Sequence, residues 1–257
     1  MTKEELAEAT GAGRFCCVYR LTDNRTIAKS GQTTRLASAE AMKFVREHTQ
    51  IPVPQVYNAY VDKESGRVRI VMEYIEGERL DHAWEKLTSE GKESVIGQLR
   101  DHFTEPRKIT GSFIGHVDGP SCEDPNLLLG DRTYGPYSDE ESFNQGLVKA
   151  WTADRDDMCT FKLCEVLCAT MKNHKIVLTH NDLDPRIILV RGSEVVAVLD
   201  WEQSGFYPEH WDGWMRDRLM DRILEPYYNA FAVMWHTSYT MWCMLNLTEG
   251  MVTRLFL

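Results

Sequence analysis

Residues 178–202, LTHNDLDPRIILVRGSEVVAVLDWE, set His180 and three aspartates, Asp182, Asp184 and Asp200, around two aliphatic runs. A carboxylate can accept a proton from a reacting group or ligate a hard cation through oxygen, so acids at strand ends are the first candidates for chemistry. The seven cysteines include no CxxC pair. Cys164 and Cys168 lie one helical turn apart and could share a metal, but two small apolar residues buried on one helix face is the simpler reading.

These residues must be positioned by elements that periodicity and punctuation reveal. Before about residue 77, RFCCVYRL, RTIAKSG and RVRIVMEYI alternate like strands and are separated by TDN and KESG turns. LASAEAMKFVREHT has Leu36, Ala39, Met42, Phe44 and Val45 at mainly helical spacing, and IPVP stops it. A further strand fits VPQVYNAYVD. Beyond EGERL the pattern turns helical through LDHAWEKL, SEGKESVIGQLRDHFTEP, DEESFNQGLVKAWTADRD and MCTFKLCEVLCATMKNH. Residues 111–137 read as a loop, open to substrate contacts or merely structural. KIVLTH with IILVRG, then VVAVLDW, supply short strands in this helical region, and aromatic helices are expected from Trp211 onward.

The 43% hydrophobic content supports a sizeable core. A formal charge of -10 disfavours nucleic acid and anionic membrane surfaces as partners. The start MTKEELAEATGAGRF has no apolar h-region and no window is long and apolar enough for a membrane span, which predicts a soluble, cytoplasmic chain. Composition selects no oligomeric state.

The motif THNDLDPRIILV followed by VLDWE resembles the aminoglycoside phosphotransferase family, whose pattern is H-G-D-L-H-P-G-N-I-L followed by I-D-W. REHTQIPVPQVY, VMEYIEGERLDHAWEKL, GPYSDEESFN and DWEQSGFYPEHWD are similar, more narrowly, to fungal phosphotransferase-like proteins. The resemblance runs from about residue 13 to 217. It implies an α+β, protein-kinase-like two-lobe fold, with a small mixed N-lobe built on an antiparallel sheet (1–76) and a larger, mainly helical C-lobe (77–257). The catalytic loop would be 179–190 and the metal motif 198–202.

Phosphoryl transfer depends on positioning and charge neutralisation, and the resemblance assigns each task. Lys29 matches the strand lysine that holds ATP phosphates, and Glu40 the helix glutamate that pairs with it. Main-chain groups near Glu73, Tyr74 and Ile75 match the linker that meets adenine. Gly11 to Val18 fits a glycine-rich covering turn, except that Cys16 replaces the third glycine. Asp182 matches the catalytic aspartate, with His180 supporting its loop by hydrogen bonding. Asp200 matches the ligand of Mg²⁺, and the 18-residue interval, loop plus hairpin, would bring both carboxylates to one side of a cleft.

Departures from the family pattern include Asn181 for Gly, Asp184 for the second His and Ile187 for the metal-binding Asn. An isoleucine offers no oxygen to a cation that requires oxygens, which implies a weakened second metal site. Three readings follow. The first is an ATP- and Mg²⁺-dependent kinase acting on a hydroxyl of a small molecule. The second is a repurposed kinase-fold enzyme of fungal secondary metabolism performing acid/base cyclisation, isomerisation or dehydration, and the third a nonenzymatic pseudokinase. Acids in DEES and DWEQ could hold an amine-bearing substrate, although capping of helices is the simpler role.

Overall fold

The computed structural model describes residues 6–12, 16–31, 34–119, 134–152 and 158–211. The chain divides into two compact units, Met1–Pro106 with Pro185–Glu202, and Arg107–Asp184 with Gln203–Leu257. This division differs from the lobe boundary drawn after residue 76. The first unit keeps the segment after 77 because backbone and side-chain pairing hold it there, as described below.

The first unit is built on an antiparallel sheet of order β1-β2-β3-β5-β4. Its strands are β1 (Leu6–Ala12), β2 (Cys16–Leu21), β3 (Thr26–Gly31), β4 (Val56–Val61) and β5 (Val68–Glu73). The three expected strands and the fourth at VPQVYNAYVD are all present, and β1 adds an edge that the sequence reading did not include. Helix α1 (Leu36–His48) buries Ala39, Met42 and Val45 of the predicted stripe, while Phe44 is half-buried and Leu36 at one end stays exposed. It ends at Thr49, whose hydroxyl donates to the Val45 carbonyl (2.8 Å) and accepts from the Ile51 N–H (3.2 Å), before the prolines.

After β6 (Glu78–Arg79) and the short α2 (Leu80–Ala83) comes α3 (Ser89–Thr104). Thr88 caps α3 by accepting the Gly91 N–H at 3.1 Å. The hairpin β9 (Ile188–Arg191) and β10 (Glu194–Val198) joins the same unit, since β9 pairs with β6 and the Val195 N–H donates to Gln98 Oε1 of α3 at 2.9 Å. Gly77 packs against Val196 and Leu189, and the Val198 N–H donates to the Pro52 carbonyl at 2.8 Å. Ile70, Leu80, Leu99 and Ile188 are at most 2% exposed, each contributing up to about 1.5–3 kcal/mol through burial.

The second unit holds a small sheet of order β7-β11-β8, formed by β7 (Gly115–His116), β8 (Ile176–Thr179) and β11 (Gly205–Pro208). Helices α4 (Glu140–Thr152) and α5 (Met158–Thr170) accompany it. The core gathers Ile114, Phe143, Leu147, Met171 and Tyr207, with Phe143 edge-on to Trp211 at 4.9 Å between centroids. Strand KIVLT therefore pairs with β11 and not with IILVRG as expected. Pro185 breaks the chain between β8 and β9 with a 3-10 turn, whereas Gly192 at φ +60 closes a two-residue turn between Arg191 and Glu194. The hairpin thus lies one strand later than the sequence reading placed it.

Among the described residues no helix is long and apolar enough to cross a membrane. Most of the 111–137 loop, the tip of the glycine-rich turn and the aromatic helices after Trp211 lie outside the described residues.

Candidate active site

Within the first unit, Lys29 sits on β3, a strand flanked on both sides, opposite Val18 of β2 and Ile70 of β5. Its side chain is 15% exposed, and Nζ lies 2.5 Å from Asp200 Oδ1 and 3.1 Å from Glu202 Oε2. Asp200 follows β10 at φ +64, a left-handed conformation that non-glycine residues adopt only where neighbours enforce it. Two neighbours do so. The Leu199 N–H donates to the Ile187 carbonyl at 2.9 Å, and the buried Trp201 ring donates from Nε1 to the Val198 carbonyl at 2.9 Å. The backbone of Ile187 is therefore hydrogen-bonded to the residue that precedes Asp200, and its half-buried side chain brings no oxygen.

Glu202 was not singled out in the sequence beyond the acids of DWEQ, for which helix capping was the simpler reading. Here it is a second carboxylate on Lys29, and burial raises its pKa, partly offset by the positive charge of Lys29 and reinforced by the negative charge of Asp200. Its signal in the sequence is the two-residue spacing from Asp200 across a 3-10 turn, Trp201–Gln203.

The expected Lys29–Glu40 pair differs in this structure. Glu40 is half exposed on α1 and pairs with Lys43 one turn on, at 2.8 Å. Less exposed carboxylates at Asp200 and Glu202 take the Lys29 ammonium, where weaker solvent screening makes the attraction stronger. The linker residues also have partners. The Glu73 N–H donates to the Gln55 carbonyl (2.9 Å) and the Tyr74 N–H to the Arg25 carbonyl (2.7 Å), while Arg20 lies over the Tyr74 ring at 4.0 Å. Neither N–H is left to a ligand in this arrangement, and Ile75 is half-buried beside them.

Within the second unit, β8 leads into the loop that carries His180, Asn181, Asp182 and Asp184. His180 is buried, and its Nδ1 accepts the Asp182 N–H at 3.2 Å. Asn181 occupies φ +67, and its Nδ2 donates to the Gln203 carbonyl at 3.1 Å. This is a conformation glycine adopts freely and asparagine better than most, which accounts for Asn181 at the family's glycine position. Asp182 is half-buried, whereas Asp184 is buried at 5% exposure, next to Leu183 at 0%. The structure thus gathers Lys29, Asp200, Glu202 and the Ile187 backbone in the first unit, and His180, Asn181, Asp182 and Asp184 on one loop of the second.

The fold is that of the aminoglycoside phosphotransferases. Aminoglycoside phosphotransferase APH(4)-Ia is similar at a TM-score of 0.63 and 13% identity, over 88% of this chain and 77% of that one. A thermostable mutant of the same enzyme, in a ternary complex with ADP and hygromycin B, gives 0.65 at 12% identity, over 97% and 88%. ADP-bound APH(2'')-Ib gives 0.56 at 15%, over 89% and 79%. A search of curated proteins found no match. The phosphotransferase enzyme family pattern matches residues 18–242, and the chain belongs to that family.

Proposed function

We propose that the protein is an ATP-dependent kinase that transfers the γ-phosphoryl group to a hydroxyl of a small molecule. The observation that carries this reading is the convergence of Asp200 and Glu202 on Lys29, which puts one cation and two oxygen-ligand carboxylates in one place. The similarity to enzymes solved with ADP and with an aminoglycoside supports a nucleotide and a small-molecule acceptor. In this reading Lys29 contacts nucleotide phosphate, and Asp182 orients the acceptor hydroxyl and takes its proton as the new O–P bond forms and the bond to ADP breaks. His180 holds Asp182 in place through its main-chain N–H.

The donor set fits Mg²⁺, which takes carboxylate oxygens and keeps several waters. Asp200 would hold it, with Glu202 supplying the oxygen that Ile187 cannot. Held there, Mg²⁺ would supply neutralisation of the charge that develops on the phosphates. Adenine would then meet the main-chain carbonyls around Glu73 to Ile75, because the N–H groups of Glu73 and Tyr74 are engaged.

A thermal-shift titration with ATP, with and without Mg²⁺, followed by ADP release with candidate hydroxyl acceptors, tests the reading. Metal-dependent stabilisation by ATP and acceptor-dependent ADP release support it, and no response to nucleotide overturns it. Ile187 favours a second reading, a kinase-fold protein that binds nucleotide without transfer or performs other acid/base chemistry. Nucleotide stabilisation without ADP release across acceptors would select it.

A further inference from the structure

We propose that Glu140, His174 and His210 form a site for a divalent cation of borderline softness, with Zn²⁺ as the first choice. The three residues come from separate segments of the second unit: the first turn of α4, the approach to β8, and the residues just after β11. One ligand atom from each lies within 4.8 Å of the other two. Two imidazoles and one carboxylate form the ligand set that zinc takes with a fourth position open, and the imidazoles discriminate against Mg²⁺ and Ca²⁺.

The distances are close to those a metal needs. His174 Nδ1 is 2.6 Å from Glu140 Oε1, and His210 Nδ1 is 3.6 Å from the same oxygen. Ligand atoms about 2.1 Å from a tetrahedral ion lie roughly 3.4 Å from one another, so side-chain shifts on the order of 1 Å bring the three ligand atoms, all within 4.8 Å of one another, into position. The His174–Glu140 contact is bridged by a proton, which a metal would displace on binding. His210 Nδ1 is buried and makes no hydrogen bond, so its lone pair or proton has no other use. Glu140 is further oriented by the His174 main-chain N–H, which donates to Oε2 at 2.9 Å. Such outer contacts fix a carboxylate ligand. His174 is the most exposed of the three, at 28%, and provides the route from solvent.

The position in the ladder assigns a structural role. β11 runs antiparallel to β8 with Pro208 opposite Ile176 and Gly205 opposite Thr179. The cluster sits at the Ile176 end, while the loop bearing His180 and Asp182 starts at the Thr179 end. An ion here would pin α4 to β8, which leads into that loop, and to its sheet neighbour β11, without taking part in the reaction.

The test uses the full chain stripped with a chelator and then desalted. Zn²⁺ titrated calorimetrically is expected to bind at one equivalent and to raise the melting temperature. Co²⁺ is expected to give the visible bands of a four-coordinate nitrogen and oxygen site, without thiolate charge transfer from the cysteines. His174→Gln and His210→Gln are each expected to weaken binding at least tenfold, with circular dichroism verifying the fold. No binding, a thiolate band, or unchanged affinity in both folded variants would overturn the proposal. If the variants do not fold, the Co²⁺ spectrum of the unaltered chain still decides it.

Discussion

Lys29 and Asp200, separated by 171 residues, meet at 2.5 Å between Nζ and Oδ1, and Glu202 joins them at 3.1 Å. Removing the ammonium leaves two partly buried carboxylates facing each other. Lys29→Met is expected to lower stability by about 1–2 kcal/mol, a value reduced from the full cost of breaking a buried pair because Asp200 retains solvent contact. Urea unfolding of the variant and of Lys29→Met with Glu202→Gln measures it. The double substitution should recover part of the loss.

Glu202 has a raised pKa in the folded chain, so the unfolded chain loses its proton first as pH rises. The contribution of Glu202 is therefore fully present below its ordinary value near 4.5 and is lost as pH rises through the folded value. Relative to wild type, Glu202→Gln should gain stability across that rise. A difference in unfolding free energy that stays flat with pH would contradict the assignment.

Ile187→Asn places an amide oxygen on a residue whose carbonyl is bonded to the Leu199 N–H beside Asp200. The Mg²⁺-dependent part of the ATP thermal shift is expected to grow, corresponding to at least severalfold tighter metal-dependent binding. The loss of a half-buried aliphatic side chain should cost about 1 kcal/mol. An unchanged metal dependence would remove Ile187 from the cation's surroundings.

Burial and the neighbouring His174 ring push His210 down to about 3, so it is neutral at its 3.6 Å approach to Glu140. With the unfolded value near 6.5, the unfolded chain binds a proton that the folded chain does not between these two pH values. Stability should fall as pH drops through that window, by up to roughly 5 kcal/mol at its acid end. His210→Gln should flatten this part of the curve, measured without added metal.

Gly205 lies in the middle strand of the β7-β11-β8 sheet, where an added Cβ would meet the Gly115 carbonyl oxygen at 2.3 Å. Backbone cannot yield as a flexible side chain can. Gly205→Ala is expected to cost about 3 kcal/mol or more, read as a lower denaturation midpoint.

The local elements and the candidate carboxylates were legible in short stretches of the chain. The strand alternation of RTIAKSG and RVRIVMEYI, the helical stripe Ala39, Met42 and Val45, and the stop at IPVP all depend on neighbours a few residues away. The family motif likewise marked His180, Asp182 and Asp200. Partner choice depends on long-range packing. Lys29 pairs with Asp200 and Glu202, while Glu40 turns to Lys43, because burial and solvent screening rank competing ion pairs and neither is encoded in spacing. β8 joins β11, and β9 joins β10, because the Gly192 turn and the Pro185 break act on register across strands. Glu140, His174 and His210 span 70 positions with no motif to link them, and only the packing of α4 against the ends of β8 and β11 brings their ligand atoms together.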